Sequence, residues 1–302
     1  MCCLFGILDY GGKLSRKEKT KILSVLSVVC EERGTDATGI AYNTGGALKV
    51  YKRPLPAHLL WFRIFEDTNV VMGHTRMTTQ GSERFNANNH PFAGQAGDTT
   101  FALTHNGVLS NDKRLRRQHD LPATKIETDS YIAVQLLEAS GELSFASLAD
   151  MAEKLEGSFT ITVMTDRDEL YFIKGDNPMC IYHYEKLGFY IYASTEPILK
   201  TALKQLNMKL GKPTKIKIDC GEILKIDATG NITRSQFDDT NLFMGYTHWP
   251  RWPVQPECWK PATNDSYIND LKSIAAYYGI YEDEIDEMLA DGVTPEEIEE
   301  LL

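Results

Sequence analysis

The sequence predicts an α+β fold in which helices cover two stacked sheets, followed by a small helical appendage. Three observations carry that prediction. Strand-like apolar runs follow one another closely between residues 158 and 226. Helical patterns at about 15–33, 128–140, 144–155 and 196–206 interleave with the strands. Past Phe237 the chain changes character, with Trp249, Trp252, Trp259, Pro250, Pro253, Pro256 and Pro261 crowded into an irregular stretch before a strongly acidic end.

In chain order, Leu4 to Asp9 reads as a buried strand closed by Gly11-Gly12. Ser15 can cap a helix to about Arg33, whose Ile22, Leu23, Leu26, Val29 and Cys30 share one face, and Gly34 is a natural stop. Thr38–Asn43 and Ala47–Arg53 read as paired strands across Thr44-Gly45-Gly46, then a short helix near Pro56–Phe65 and a strand at Asn69–His74. Residues 76–100 carry little periodicity, which suits a binding loop. A strand at Phe101–Thr104 is expected to end at His105-Asn106-Gly107. Later strands are Ser158–Thr165, Leu170–Lys174, Cys180–Tyr184, Phe189–Ser194 and a final pair, Thr214–Ile218 with Glu222–Ile226. The tail is expected to form three short helices: one from Asp265 or Ser266 to Gly279, one over Tyr281–Leu289, and one started by Thr294, Pro295 and Glu297. The resulting division is a body at 2–237, a Trp/Pro-rich linker at 238–263 and an acidic helical tail at 264–302.

Composition excludes several classes. A net charge of −10 with one compact basic cluster, Arg114, Arg116 and Arg117, argues against nucleic acid as a partner. There is no apolar run of transmembrane length and no signal-peptide pattern, so the expected location is cytoplasmic, without a membrane partner. The six cysteines form no C-x-x-C and the seven histidines no H-E-x-x-H, so neither a metal nor a cofactor is expected. Cys30, Cys180, Cys220 and Cys258 read as small buried hydrophobes.

The chemistry starts at Met1-Cys2-Cys3. Removal of Met1 would give Cys2 both a thiol and an α-amine of pKa about 7.7–8.0, so that the nucleophile carries its own base. Cys3 cannot share this role, because strand alternation sends it to the opposite face. Arg76, at a strand end, is a fork-shaped donor suited to a carboxylate, with Thr79 near it. Asn106-Gly107 offers a side-chain amide beside an unhindered N–H, a pair able to meet an oxyanion. Asp129, near a helix start, could hold an ammonium group. Each also has an ordinary structural reading: Arg76 as a surface ion pair, Asn-Gly as a β-turn, Asp129 as a helix cap, and His74 and His105 as core or supporting histidines.

Cys2, Gly73-His74-Thr75-Arg76, Asn88-Asn89-His90-Pro91, His105-Asn106-Gly107 and Thr128-Asp129, in that order, resemble the class II glutamine amidotransferase domain of the N-terminal nucleophile hydrolases. This is the glutaminase half of glucosamine-6-phosphate synthase and amidophosphoribosyltransferase, and the likeness covers roughly residues 2–230. The resemblance implies a four-layer αββα sandwich. It also implies a Cys2 thioester formed from L-glutamine, an oxyanion hole at Asn106 and Gly107, and substrate binding by Arg76, Thr79 and Asp129. Met77 and Gln80 depart from the aromatic residue and histidine of the synthase-like proteins. The residues from Asp238 to Leu302 are too few for a synthase domain, so ammonia is expected to pass to a separate acceptor synthase. Two alternatives are an amidase for another γ-glutamyl amide and a non-catalytic binding protein on the same fold.

Overall fold

Two antiparallel sheets organise the body in the computed structural model, which describes residues 2–242, Ile268, Lys272, residues 282–290, Val293 and Ile298. The first sheet has seven strands: β1 (Cys3–Asp9), β2 (Ala37–Thr44), β3 (Ala47–Arg53), β4 (Val70–Arg76), β9 (Cys180–Tyr184), β10 (Phe189–Ala193) and β11 (Thr214–Ile216). Their spatial order is β11-β9-β10-β1-β4-β2-β3, which sets β1 at the centre. The second sheet has six strands: β5 (Phe92–Ala96), β6 (Thr99–Leu109), β7 (Gly157–Thr165), β8 (Leu170–Lys174), β12 (Glu222–Ile226) and β13 (Ile232–Gln236). Their order is β13-β12-β8-β7-β6-β5.

Strand alternation sorts the apolar side chains into three layers of core. On β1, Cys3, Phe5 and Ile7 turn outward to meet α1 (Arg16–Val29) and α5 (Glu196–Leu206). Leu4 and Leu8 turn inward with Met72, Ala102, Phe172, Tyr192 and Leu224, filling the space between the sheets. The outer face of the second sheet, with Phe101, Leu103, Phe159 and Ile161, is covered by α2 (Asp112–Gln118), α3 (Tyr131–Ser140) and α4 (Phe145–Lys154). Helices, sheet, sheet, helices: this is the αββα sandwich.

Local signals place α1 and the β2–β3 hairpin where the sequence puts them. Ser15 accepts from the Glu18 N–H while Glu18 accepts from the Ser15 N–H, a complete capping box. Gly45 and Gly46 both have positive φ, as a two-residue hairpin turn requires.

Several expectations are corrected. The helix expected near 56–65 is a single 3-10 turn, Ala57–Leu59. Inside the irregular stretch lie a 3-10 turn at Asn86–Asn88 and all of β5. β6 runs for 11 residues and carries His105-Asn106-Gly107 within it. Pairing with β7 from Phe101 to Leu109 overrides the turn preference of Asn-Gly. The last two strands do not pair with each other: β11 joins β9 in one sheet, and β12 lies between β8 and the unanticipated β13 in the other. Cys220 is exposed, whereas Cys3, Cys30 and Cys180 are buried.

The chain separates into two units, Met1–Trp249 and Pro250–Leu302. In the second, α6 (Glu282–Ala290) buries Ile285 against Ile298, with Met288, Leu289 and Val293 around them. The Trp/Pro linker from residue 243 onward, Cys258, and the first and third expected tail helices apart from Ile268, Lys272 and Ile298 lie outside the described residues.

Candidate active site

The site assembles where β1 and β4 run side by side. Cys3 pairs with Thr75, so continuing the antiparallel register by one residue sets Cys2 beside Arg76. Parity then turns Cys2, His74 and Arg76 toward the interior between the sheets, and Cys3 toward α1, where its thiol interacts with that of Cys30. Cys2 remains part-exposed. The Met77 N–H donates to its sulfur at 3.4 Å, the sulfur lies 3.5 Å from the Met77 carbonyl oxygen, and Arg33 Nε donates to the Cys2 carbonyl at 3.0 Å. Burial pushes the thiol pKa up, while the Met77 N–H and the nearby Arg76 charge pull it down.

Arg76 is buried, 3% exposed, and its partners are neutral acceptors. One terminal nitrogen donates to Asn89 Oδ1 at 2.7 Å, and the other to the carbonyls of Gln80 at 2.6 Å and Gly81 at 2.9 Å. The guanidinium thus pins both ends of the loop after β4, and no Asp or Glu in the described residues forms an ion pair with it. Burial pulls its pKa down, and the charges of Cys2, Glu83, Asp36 and Asp129 oppose that shift. This excludes the surface ion-pair reading and leaves a desolvated cation beside the thiol.

Across the sandwich, β6 supplies Asn106, fully buried, with neither its amide oxygen nor its amide nitrogen partnered. An unpaired buried amide is costly and marks a place where a ligand atom could be met. Gly107 follows at φ +146°, and a Cβ there would lie 1.8 Å from the Ser158 carbonyl oxygen, so only glycine fits. Asp129, also 3% exposed, accepts from the Leu109 N–H at 2.6 Å through Oδ2 and from the Ser130 N–H at 2.9 Å through Oδ1. It is no helix cap, because α3 begins at Tyr131 with no side-chain cap. Its negative charge acts on both the Cys2 thiol and Arg76.

The structure therefore brings Cys2, Arg76 and Asp129 within electrostatic reach of one another, with Asn106 and Gly107 on β6 of the facing sheet. Thr79 is exposed on the loop and is not among the hydrogen-bond partners of Arg76. The adjacent Thr78 is tied down instead, its N–H donating to Asp36 Oδ2 at 2.6 Å.

Sequence reasoning passed over the contacts of Asn89 and Lys52. Asn89 holds Arg76 by its side-chain oxygen while its carbonyl accepts from Lys52 Nζ at 2.5 Å. Burial, with Arg76 nearby, lowers the Lys52 pKa to about 8. His74, His90 and His105 are all buried, with the His74 and His90 ring centroids 4.3 Å apart. Burial holds all three below the ordinary histidine range, His74 down to about 3. The N-x-H-P motif contained both Asn89 and His90, but nothing in its spacing says that Asn89 reaches back to Arg76.

A cavity of about 490 Å³, lined by Arg33, Asp36, Met77 and Thr78 among others, opens beside the Met77 peptide that contacts the thiol.

Comparison with known proteins places this arrangement. Residues 74–201 match the glutamine amidotransferase domain family. The glutamine–fructose-6-phosphate aminotransferase [isomerizing] of Halalkalibacterium halodurans is 31% identical over 186 residues, covering 58% of this chain and 30% of that enzyme. The 7-cyano-7-deazaguanine synthase of Saccharolobus solfataricus is 26% identical over 206 residues, 65% of this chain and 43% of its own length. This chain thus spans less than half the length of either relative. Among solved structures, the glutamine phosphoribosylpyrophosphate amidotransferase from B. subtilis superposes with a TM-score of 0.62 at 20% identity, over 78% of this chain and 49% of that one, a likeness of fold. The sequence match over residues 74–201 and the sandwich architecture thus agree in what they liken this chain to, the glutamine amidotransferase domain family.

Proposed function

We propose that the protein hydrolyses L-glutamine to glutamate and ammonia through a thioester on Cys2. The observation that carries this reading is a buried cation and a buried carboxylate, Arg76 and Asp129, both acting on one part-exposed thiol. Between them they match the carboxylate and ammonium of an α-amino acid and leave its side chain to reach the sulfur. In this scheme Met1 is removed and the Cys2 α-amine takes the thiol proton. The thiolate adds to the γ-amide carbon, and the oxyanion is met by the unpaired Asn106 amide and by Gly107. Collapse breaks the C–N bond and the α-amine passes its proton to the leaving ammonia. Water then hydrolyses the thioester, releasing glutamate and restoring the thiol. Ammonia is passed to a separate acceptor synthase, for which the acidic tail at 264–302, beyond the linker at 238–263, is the docking element.

Ammonia release from glutamine by the purified protein tests the reading. Cys2→Ala should lower the rate by more than about a thousandfold; equal release by the two proteins overturns it. Intact-mass measurement should show loss of Met1. Deletion of 264–302 should leave the hydrolysis rate and remove co-purification with the acceptor.

The cavity beside Met77 favours a second reading within the same chemistry, in which the scissile amide carries a substituent. Comparing glutamine with small γ-glutamyl amides separates the two, since a higher kcat/KM for a substituted amide selects the second.

A further inference from the structure

We propose that Ser130 is a positioning residue for the substrate, holding Asp129 in the orientation that receives the α-ammonium group. The proposal rests on the glutaminase reading and adds a residue to it. Ser130 is 3% exposed, and its hydroxyl stands between two buried groups. Oγ is 2.7 Å from His105 Nδ1 and 3.3 Å from Asp129 Oδ1. A hydroxyl has one hydrogen to give. Asp129 as a carboxylate can only accept, so one arrangement satisfies both contacts: His105 Nδ1–H donates to Ser130, and Ser130 donates to Asp129.

The row continues into the other sheet. His74 Nε2 donates to the His105 carbonyl oxygen at 3.0 Å, and His74 sits two residues before Arg76 on the same face of β4. One connected path, His74 to His105 to Ser130 to Asp129, therefore ties the strand bearing the cation to the carboxylate opposite it. Its middle also fixes β6 next to Asn106. With the Leu109 N–H on Oδ2, Asp129 has contacts that fix its rotation, and Ser130 supplies the one that depends on a side chain. Ser130 makes no helix-capping bond to α3, so its hydroxyl is spent on this row.

The test compares glutamine with 4-carbamoylbutanoate, which is glutamine without its α-amino group. If Ser130 acts through Asp129, only the substrate bearing the ammonium should notice its loss. Wild type should prefer glutamine in kcat/KM. Ser130→Ala should cut that preference about tenfold, the loss expected of one hydrogen bond to a charged group. The change should appear as a raised KM for glutamine, with kcat within about threefold and the constants for 4-carbamoylbutanoate unchanged. Ser130→Thr should restore the preference. If Ser130→Ala does not fold, Ser130→Cys keeps the volume with a weaker donor and should show the same loss. A folded variant in which both substrates slow by the same factor overturns the proposal. So does a wild type that hydrolyses glutamine without preferring it, although the glutaminase reading then stands. A wild type releasing no ammonia overturns both.

Discussion

At residue 107 a methyl group would sit 1.8 Å from the Ser158 carbonyl oxygen, on a backbone at φ +146°. Gly107→Ala must therefore move β6 away from β7 or strain both. Steric and backbone terms together put the cost at about 3 kcal/mol, or roughly 6–12 °C in Tm, to be read by thermal unfolding. Arg76→Lys keeps the charge but loses the fork that reaches Asn89, Gln80 and Gly81 together. We expect KM for glutamine to rise about tenfold or more, measured by ammonia release, with the fold retained. The candidate residues were legible in the sequence because each belongs to a short motif. The groups that hold them were not. Asn89 reaches Arg76 across 13 positions, and Ser130 reaches His105 across 25, distances that only the packed sheets close.

Elements supply the next level of control. Ser15 accepts from the Glu18 N–H at the start of α1, so Ser15→Ala should cost about 1 kcal/mol in urea unfolding without changing glutamine hydrolysis. The histidines of β4 and β6, with His90 between β-strands, set a pH dependence. Burial keeps them neutral in the folded protein, whereas the unfolded chain takes up protons below pH about 6.5. Their contribution is complete above that pH and is lost as the pH falls toward the folded value, about 3 for His74. Each one that stays neutral removes about 1.4 kcal/mol of stability per pH unit. Urea unfolding at pH 7 and pH 5 should show the loss, and His90→Phe should make it shallower by about one proton. The sequence announced α1 through its cap and its apolar face. It misplaced the end of β6, because Asn-Gly is a turn pair by local preference and a strand pair here by its long ladder with β7.

For the molecule as a whole, the described residues of the body sort into three apolar clusters, one between the sheets and one under each helical layer. The layering was legible because the order of helix-like and strand-like stretches is enough to imply it. The partition of strands between sheets was not. β11 and β12 are close in sequence and lie in different sheets, a choice made by which edge each can reach.

The alternation along β1 makes the reactive end of the chain a matter of odd and even. Deleting Cys2 leaves Met1 followed by Cys3, so that processing would again expose a cysteine with a free α-amine. Strand pairing still fixes Phe5 against Gly73 and Cys3 against Thr75, which keeps that thiol on the α1 side of the sheet. Such a protein would have the right terminal residue on the wrong side of the wall, and it should release no ammonia from glutamine.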